Sequence, residues 1–357
     1  MLDRPSPVRA GEEINLPKLS GYLRGALAGF QSIQQLAQFP GGFSNLTYLL
    51  TSNQGEWVLR RPPRGANIKT AHDMQREFSV LQKLQGIYGR IPVPIHYCAD
   101  PEIIGAPFYL MERVEGIILR PALAKELSLP SATMHAISAA AVDNLSLLHQ
   151  IDIDATGLRE IGRPEGYVER QVSGWIRRYQ RAQTDDIPAM DELAEWMTNH
   201  LPPDGCPGLI HNDYKYDNLV LDPDEPSRIL AVLDWEMATV GDTRMGLGTS
   251  LAYWSEATDA RRNPLAASNL TWLPGNLTRT EVVDRYQHNT DHDLTDILFY
   301  FTYGAFKIGV IVQQIYARWR AGHSRDPRFA GLIEAVRYFG DLGRHALERD
   351  RISGLHT

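Results

Sequence analysis

A chain of 357 residues can bury a sizeable core but is too long for one compact core of ordinary size, so two lobes, or a domain with a helical extension, are expected. With 43% hydrophobic and 22% charged residues it has the composition of an ordinary globular protein, and a net charge of −7 argues against sequence-independent nucleic-acid binding, which needs a basic footprint. Two cysteines, Cys98 and Cys206, stand far apart and outside any Cys/His cluster, which argues against a disulfide scaffold or structural zinc site and suits reduced thiols in the cytoplasm.

The opening MLDRPSPVRAGEEINLP has no apolar segment of the secretory type. Residues 16–30 read as an amphipathic helix. Pro40-Gly41-Gly42 makes a turn before the β-prone run Leu46–Leu50, and Ser52-Asn53-Gln54-Gly55 separates that run from Trp57-Val58-Leu59, which predicts a hairpin. Met74, Phe78, Leu81 and Leu84 share one helical face over residues 71–85, and Pro92-Val93-Pro94 ends the pattern. A buried strand is expected at Pro107–Met111. Beyond residue 117 long helical patterns take over: one from an N-cap at Ser131 to about His149, then 165–182, 188–200, 294–321 and 327–349. Two short strands, Leu219–Leu221 and Ile229–Leu233, interrupt them. The apolar stretch Ala305–Ile315 contains Lys307 and two glutamines and is too short to span a bilayer, so no membrane partner is expected. The fold class that emerges is α+β, with a β-rich lobe at 1–111 and a mostly helical lobe carrying the catalytic hairpin at 112–357.

The chemistry concentrates in His211-Asn212-Asp213-Tyr214-Lys215-Tyr216-Asp217-Asn218, followed by a strand-like run and then, sixteen residues after Asn218, by Asp234-Trp235-Glu236. Phosphoryl transfer needs hard oxygen donors for the metal that accompanies a triphosphate. It also needs a carboxylate to orient an acceptor hydroxyl and take its proton, and a cation near the transferring group. This stretch offers the carboxylate of Asp213, the cation of Lys215 and the amide of Asn218. A hairpin of the two strands would bring Asn218 and Asp234 together.

His-x-Asp-x-x-x-x-Asn followed by a strand and an aspartate is the kinase catalytic signature. In its His-Asn-Asp and Asp-Trp-Glu form it resembles the aminoglycoside phosphotransferase and choline kinase superfamily, of protein-kinase-like fold. The early stretches Phe39-Pro40-Gly41-Gly42-Phe43-Ser44-Asn45-Leu46-Thr47-Tyr48 and Val58-Leu59-Arg60-Arg61-Pro62-Pro63 are similar to the branch associated with acyl-CoA dehydrogenases. The resemblance runs from about 38 to 340. It implies a Mg2+-dependent transfer of the γ-phosphate of ATP or GTP to a hydroxyl of a small molecule, such as a hydroxyacyl-CoA or an aminoglycoside-like acceptor. Asp213 would be the base, Lys215 would approach the transferred phosphate, and Asn218 and Asp234 would hold the metal, with a weaker claim for Glu236. His211 would be structural. Gly41, Gly42, Ser44 and Asn45 would cover the phosphates, and the backbone from Met111 to Arg113 would meet the base of the nucleotide.

One position departs from the kinase pattern: Arg60 stands where a lysine is expected to pair with Glu77. Its planar fork can pair and touch phosphate, but with other geometry. That leaves open the choice of ATP or GTP and a second reading, a nucleotide-binding regulator with little or no turnover. A protein kinase is not supported, because no Ala-Pro-Glu segment follows Asp234. Blander readings stand beside several features. Gly41-Gly42 could be a plain hairpin turn, Arg61 a solvated strand edge, and Asp284–Asp296 a solvated helix boundary. Arg177, Arg178, Arg181, Arg318 and Arg320 could meet the phosphates of a CoA thioester or could simply be solvated helix faces.

Overall fold

In the computed structural model, residues 5–39, 45–63, 73–120, 129–266, 269–324 and 326–356 are described. The chain divides into two compact units. The first comprises Met1–Ile117, Val220–Pro223 and Leu230–Ala238; the second comprises Ile118–Leu219, Asp224–Ile229 and Thr239–Thr357. Residues 220–223 and 230–238, grouped with the helical lobe in the sequence reading, thus belong to the first unit.

The first unit is built on a five-stranded sheet: β1 (Ile33–Gln38), β2 (Leu46–Ser52), β3 (Gly55–Arg61), β4 (Pro94–Cys98) and β5 (Phe108–Glu112), in the order β1-β2-β3-β5-β4. The expected hairpin is β2–β3, closed at Ser52 opposite Gly55. Neither edge strand is anticipated by the sequence reading, and each has a physical reason for its silence. β1 exposes Gln34 and Gln35, so it lacks a clean apolar alternation. β4 starts on Pro94, which an edge tolerates because it has no ladder hydrogen bond to give there. Helix α1 (Leu16–Ala26) is capped by Asn15, whose side chain accepts from the Lys18 amide, and it lays Leu19 and Leu23 on one sheet face with Phe30, Tyr48, Trp57 and Leu110. Helix α2 (Met74–Leu84) is capped by Asp73 and buries Met74, Phe78, Leu81 and Leu84, as its periodicity requires. The same face also buries Glu77. Trp235 completes this unit late in the chain: its indole donates to Val232 O at 2.8 Å and meets the Tyr88 ring edge-on.

The second unit is helical: α3 (Ser131–His149), α4 (Tyr167–Ala182), α5 (Pro188–Asn199), α6 (Thr243–Tyr253), α7 (Arg279–Thr290), α8 (Ile297–Arg320) and α9 (Leu332–Arg349). Ser131 is not the N-cap expected of it. The cap is Pro130, without a side-chain bond, and Ser131 is the first helical residue. A two-stranded antiparallel sheet, Pro207–Ile210 with Thr239–Asp242, frames the segment between. α8 is buried along most of its length and packs closely on α6. Glycines permit that approach. A Cβ on Gly248 would lie 2.0 Å from Tyr300 O, and one on Gly304 would lie 2.1 Å from Gly248 O. Near the end of the chain, fully buried Arg279 pairs with Asp259 and donates to Ile352 O, tying residues 350–356 to the helices. The charged stretch 284–296, which spans the end of α7, lies largely at the surface; within it Arg285 pairs with half-exposed Asp143, and at the end of α8 Arg320 pairs with Asp185. Among the described residues no helix is long and apolar enough to cross a membrane.

Candidate active site

The expected site residues fall into two groups, one in each unit. In the first unit, β3 carries Arg60 between Thr47 of β2 and Tyr109 of β5. Its guanidinium, 8% exposed, lies 3.0 Å from Glu77 Oε1, 2.8 Å from Asp234 Oδ1 and 3.8 Å from Glu236 Oε2. Glu77 is 1% exposed; burial pushes its carboxyl up to about 7, with the Arg60 charge opposing and Asp234 adding to the rise. Arg60 itself stays charged: burial works against it, but Glu77 and then Asp234 hold its pKa well above the ordinary value. Asp234 follows the hairpin of Leu219–Leu221 and Ile229–Val232 and adopts a left-handed backbone, φ 65°, which a short polar side chain tolerates. Asn45, buried, donates to Glu236 Oε2 at 2.6 Å. Gly41, Gly42 and Ser44 lie outside the described residues.

Arg61, weighed above as a solvated edge, is instead 1% exposed and donates to Ile104 O and Pro62 O. Along β5 and beyond, the Glu112 amide donates to Val93 O and the Arg113 amide to Glu56 O, while the Arg113 side chain pairs with Glu56. A nucleotide base meeting Met111–Arg113 would therefore have to use groups other than those two amide hydrogens.

In the second unit, residues 211–218 form a loop that ends in a single helical turn at Tyr216–Asn218. Its aromatic residues anchor it. Tyr214 donates to Ala141 O and accepts from Asn144, both on α3, and Tyr216 donates to Asn276 Oδ1 at 2.6 Å. Arg120 pairs with Asp217 at 2.9 Å. Within this frame Asp213 is held from several sides. Its amide donates to His211 Nδ1 at 3.3 Å, and Asn218 Nδ2 donates both to its backbone oxygen and to Oδ2, each at 2.8 Å. Lys215 Nζ lies 2.6 and 2.5 Å from the two carboxylate oxygens and 4.9 Å from the centre of the Tyr253 ring. Burial opposes the Lys215 charge, but Asp213, then Tyr253 and Asp217, raise its pKa above the ordinary lysine value. His211 is fully buried.

Two residues of this loop environment escape the sequence reading. Asn212 has φ 67°, a left-handed conformation that costs most L-residues about 1–2 kcal/mol and asparagine less. Lys307, 1% exposed on α8, donates to Asn212 Oδ1 at 2.7 Å, with Asn212 O and Thr249 Oγ1 each at 3.4 Å. Burial lowers the Lys307 pKa to about 7, against the opposing pull of Asp213 and with a smaller contribution from Arg178. A signal was available: Lys307 is the one charged residue between Ile297 and Ala317.

In the first unit, Asp234 and Glu236 supply carboxylate oxygens, hard donors of the kind magnesium takes. In the second unit, the Asn218 amide nitrogen is spent on Asp213. Among the described residues no three His, Cys, Asp or Glu side chains form a metal cluster. Magnesium in nucleotide sites is held instead by one or two carboxylates together with phosphates and water.

Residues 35–279 match the family APH, the phosphotransferase enzyme family. Human acyl-CoA dehydrogenase family member 11 is 36% identical over 332 residues, covering 89% of this chain and 41% of that protein; the chicken protein is 34% identical, covering 98% and 46%. The chain thus spans less than half the length of these relatives. Among solved structures, a Ralstonia eutropha protein provisionally described as an aminoglycoside phosphotransferase superposes with a TM-score of 0.78 at 27% identity, over 94% of this chain and 99% of that one. The GDP and kanamycin complex of an aminoglycoside 2″-phosphotransferase gives 0.60 at 16% identity, over 89% and 95%, which speaks to the fold.

Proposed function

The chain belongs to the phosphotransferase enzyme family, the small-molecule kinases of protein-kinase-like fold, and from that premise we propose that it transfers the γ-phosphate of ATP or GTP to a hydroxyl of a small metabolite. The observation that carries the reading is the fixing of Asp213 by Asn218, His211 and Lys215 within one anchored loop. Asp213 accepts the proton of the acceptor hydroxyl as its oxygen bonds to the γ-phosphorus and the bridging oxygen leaves with the nucleoside diphosphate. Lys215, half-buried and charged, can pass from Asp213 to the transferred phosphoryl group and offset its developing charge. Asn218, Asp234 and, with a weaker claim, Glu236 would hold Mg2+, which supplies neutralisation of the phosphate charge when bound with the nucleotide. Asn45 steadies Glu236, and Arg60 fixes Glu77 and Asp234 together. Gly41, Gly42 and Ser44 remain the proposed phosphate cover, and His211 a structural member of the loop.

For the acceptor, the names of the curated relatives favour a metabolite of acyl-CoA metabolism, such as a hydroxyacyl thioester, over an antibiotic. The test is transfer from ATP and GTP with magnesium to hydroxyacyl-CoA thioesters, aminoglycosides, choline and homoserine, with Asp213→Asn as the blank. Transfer to one acceptor, lost in the variant, establishes the activity; transfer that survives the variant removes Asp213 as the base.

One observation favours the second reading, a nucleotide-binding regulator: the Arg60 guanidinium lies 2.8 Å from Asp234 Oδ1 and so competes with a metal for that carboxylate. If the native chain binds nucleotide without turnover and Arg60→Lys brings turnover, the regulator reading stands. Robust native turnover removes it.

A further inference from the structure

The phosphotransferase reading leaves Lys307 without a task, yet its placement is expensive. A lysine at the middle of an apolar helix must bring its ammonium out of water. The fold has arranged a specific destination for it. Gly248 and Gly304 let α6 and α8 approach to backbone contact, and three residues past Gly304 the Lys307 side chain reaches the loop. Thr249, beside Gly248, turns its hydroxyl hydrogen to Met245 O and so leaves an oxygen lone pair facing Lys307 Nζ. The shortest bond runs to Asn212 Oδ1 at 2.7 Å, and Asn212 is the left-handed residue between His211 and Asp213. The Trp175 ring, 5.9 Å from Nζ, closes another side.

The conformation of Asn212 sets the plane of the peptide that leads into Asp213, and hence where the carboxylate points. We propose that Lys307 is a positioning residue for phosphoryl transfer: by holding the Asn212 side chain it keeps residue 212 left-handed and so fixes the Asp213 carboxylate. This inference rests on Asp213 being the base, and the hydrogen-bonded route from Lys307 to it runs through Asn212. Lys307 does not touch substrate.

That dependence gives a discriminating test. In the full chain, Lys307→Met keeps the length and removes the donor. kcat should fall by roughly ten- to a hundredfold, while KM for the nucleotide stays within about twofold, because only the placement of the base is disturbed. Amide hydrogen exchange should quicken in residues 211–218 and stay unchanged in strands 46–61. Glycine adopts the left-handed conformation without a clamp, so in an Asn212→Gly background the added Lys307→Met change should lower kcat much less than it does alone. If Lys307→Met does not fold, Asn212→Leu breaks the same bond from the loop side and must give the same split between kcat and KM.

An unchanged kcat in Lys307→Met overturns the proposal. So does additivity of the two substitutions, or a rise in exchange spread evenly over the helical unit, since those describe a merely structural lysine. If the native chain transfers no phosphate, the functional reading fails on its own account and the catalytic part of this proposal fails with it. The exchange of residues 211–218 then still decides whether Lys307 sets the loop.

Discussion

Removing the guanidinium of Arg60 should expose how the first unit tolerates a buried carboxylate. In Arg60→Met the side chain keeps much of its apolar length, but Glu77, 1% exposed, loses the cation 3.0 Å away. Breaking a buried pair by taking one partner costs about 3–5 kcal/mol, because the remaining charge is left without compensation. Here the remaining group can escape by taking up a proton. In the native protein burial already holds Glu77 up to about 7, above its unfolded value, so its contribution to stability is full below the unfolded pKa and is lost as pH rises through about 7. Without Arg60, whose charge opposes that rise, the pKa moves higher and the loss continues above 7 where the native curve has levelled. The difference between variant and native should therefore be small at pH 6 and grow toward pH 8, at no more than about 1.4 kcal/mol per pH unit. Urea denaturation at pH 6, 7 and 8 measures it. Equal destabilisation at pH 6 and pH 8 would refute the reasoning, because it would mean that Glu77 does not change its protonation when Arg60 is gone.

Other expectations follow from the same geometry. Asp213→Asn should lower turnover roughly 100- to 10,000-fold with nucleotide affinity nearly unchanged, as read by initial rates and by fluorescence titration of the nucleotide. Asp234→Ala should weaken magnesium-dependent nucleotide binding by roughly tenfold or more, ~1.4 kcal/mol, in isothermal titration; equal affinity with and without magnesium in the native chain would remove it as a metal ligand. Gly248→Ala places a methyl 2.0 Å from Tyr300 O and should cost about 1–3 kcal/mol in a denaturation curve, since two helix backbones must part to admit it; an unmoved midpoint would contradict their close approach.

Where local chemistry dictates structure, the sequence was legible. The β2–β3 hairpin followed from two β-prone runs around a polar turn, and α2 from apolar residues spaced by four, three and three. The grouping of His211, Asp213, Lys215 and Asn218 followed from adjacency in one short loop. What stayed hidden depends on partners far along the chain. An edge strand such as β1 needs only one neighbour, so glutamines serve in it and no alternation betrays it. The pairing of Asn45 with Glu236 spans 191 residues, and that of Lys307 with Asn212 spans 95. A lysine in an apolar run is visible by eye, but its meaning requires knowing which loop passes the helix. Ser131 marks the opposite failure: the residue type suited a cap, but Pro130 already set the chain direction and took the position.

The division of the chain also bears on how the protein can be made. The first unit is interrupted in sequence: residues 220–223 and 230–238 complete it, and they bring Trp235 against Tyr88, the Val232 amide to Arg90 O, and Asp234 to Arg60. When Ile117 leaves the ribosome the five-stranded sheet has all its strands, but buried Glu77 and Arg60 still lack Asp234. At about 5–20 residues per second, the 121 residues from 117 to 238 take roughly 6–24 s to synthesise. During that interval Tyr88, the Arg90 carbonyl and Arg60 wait for partners that only later chain brings, and a fragment cut after residue 117 would lack them permanently.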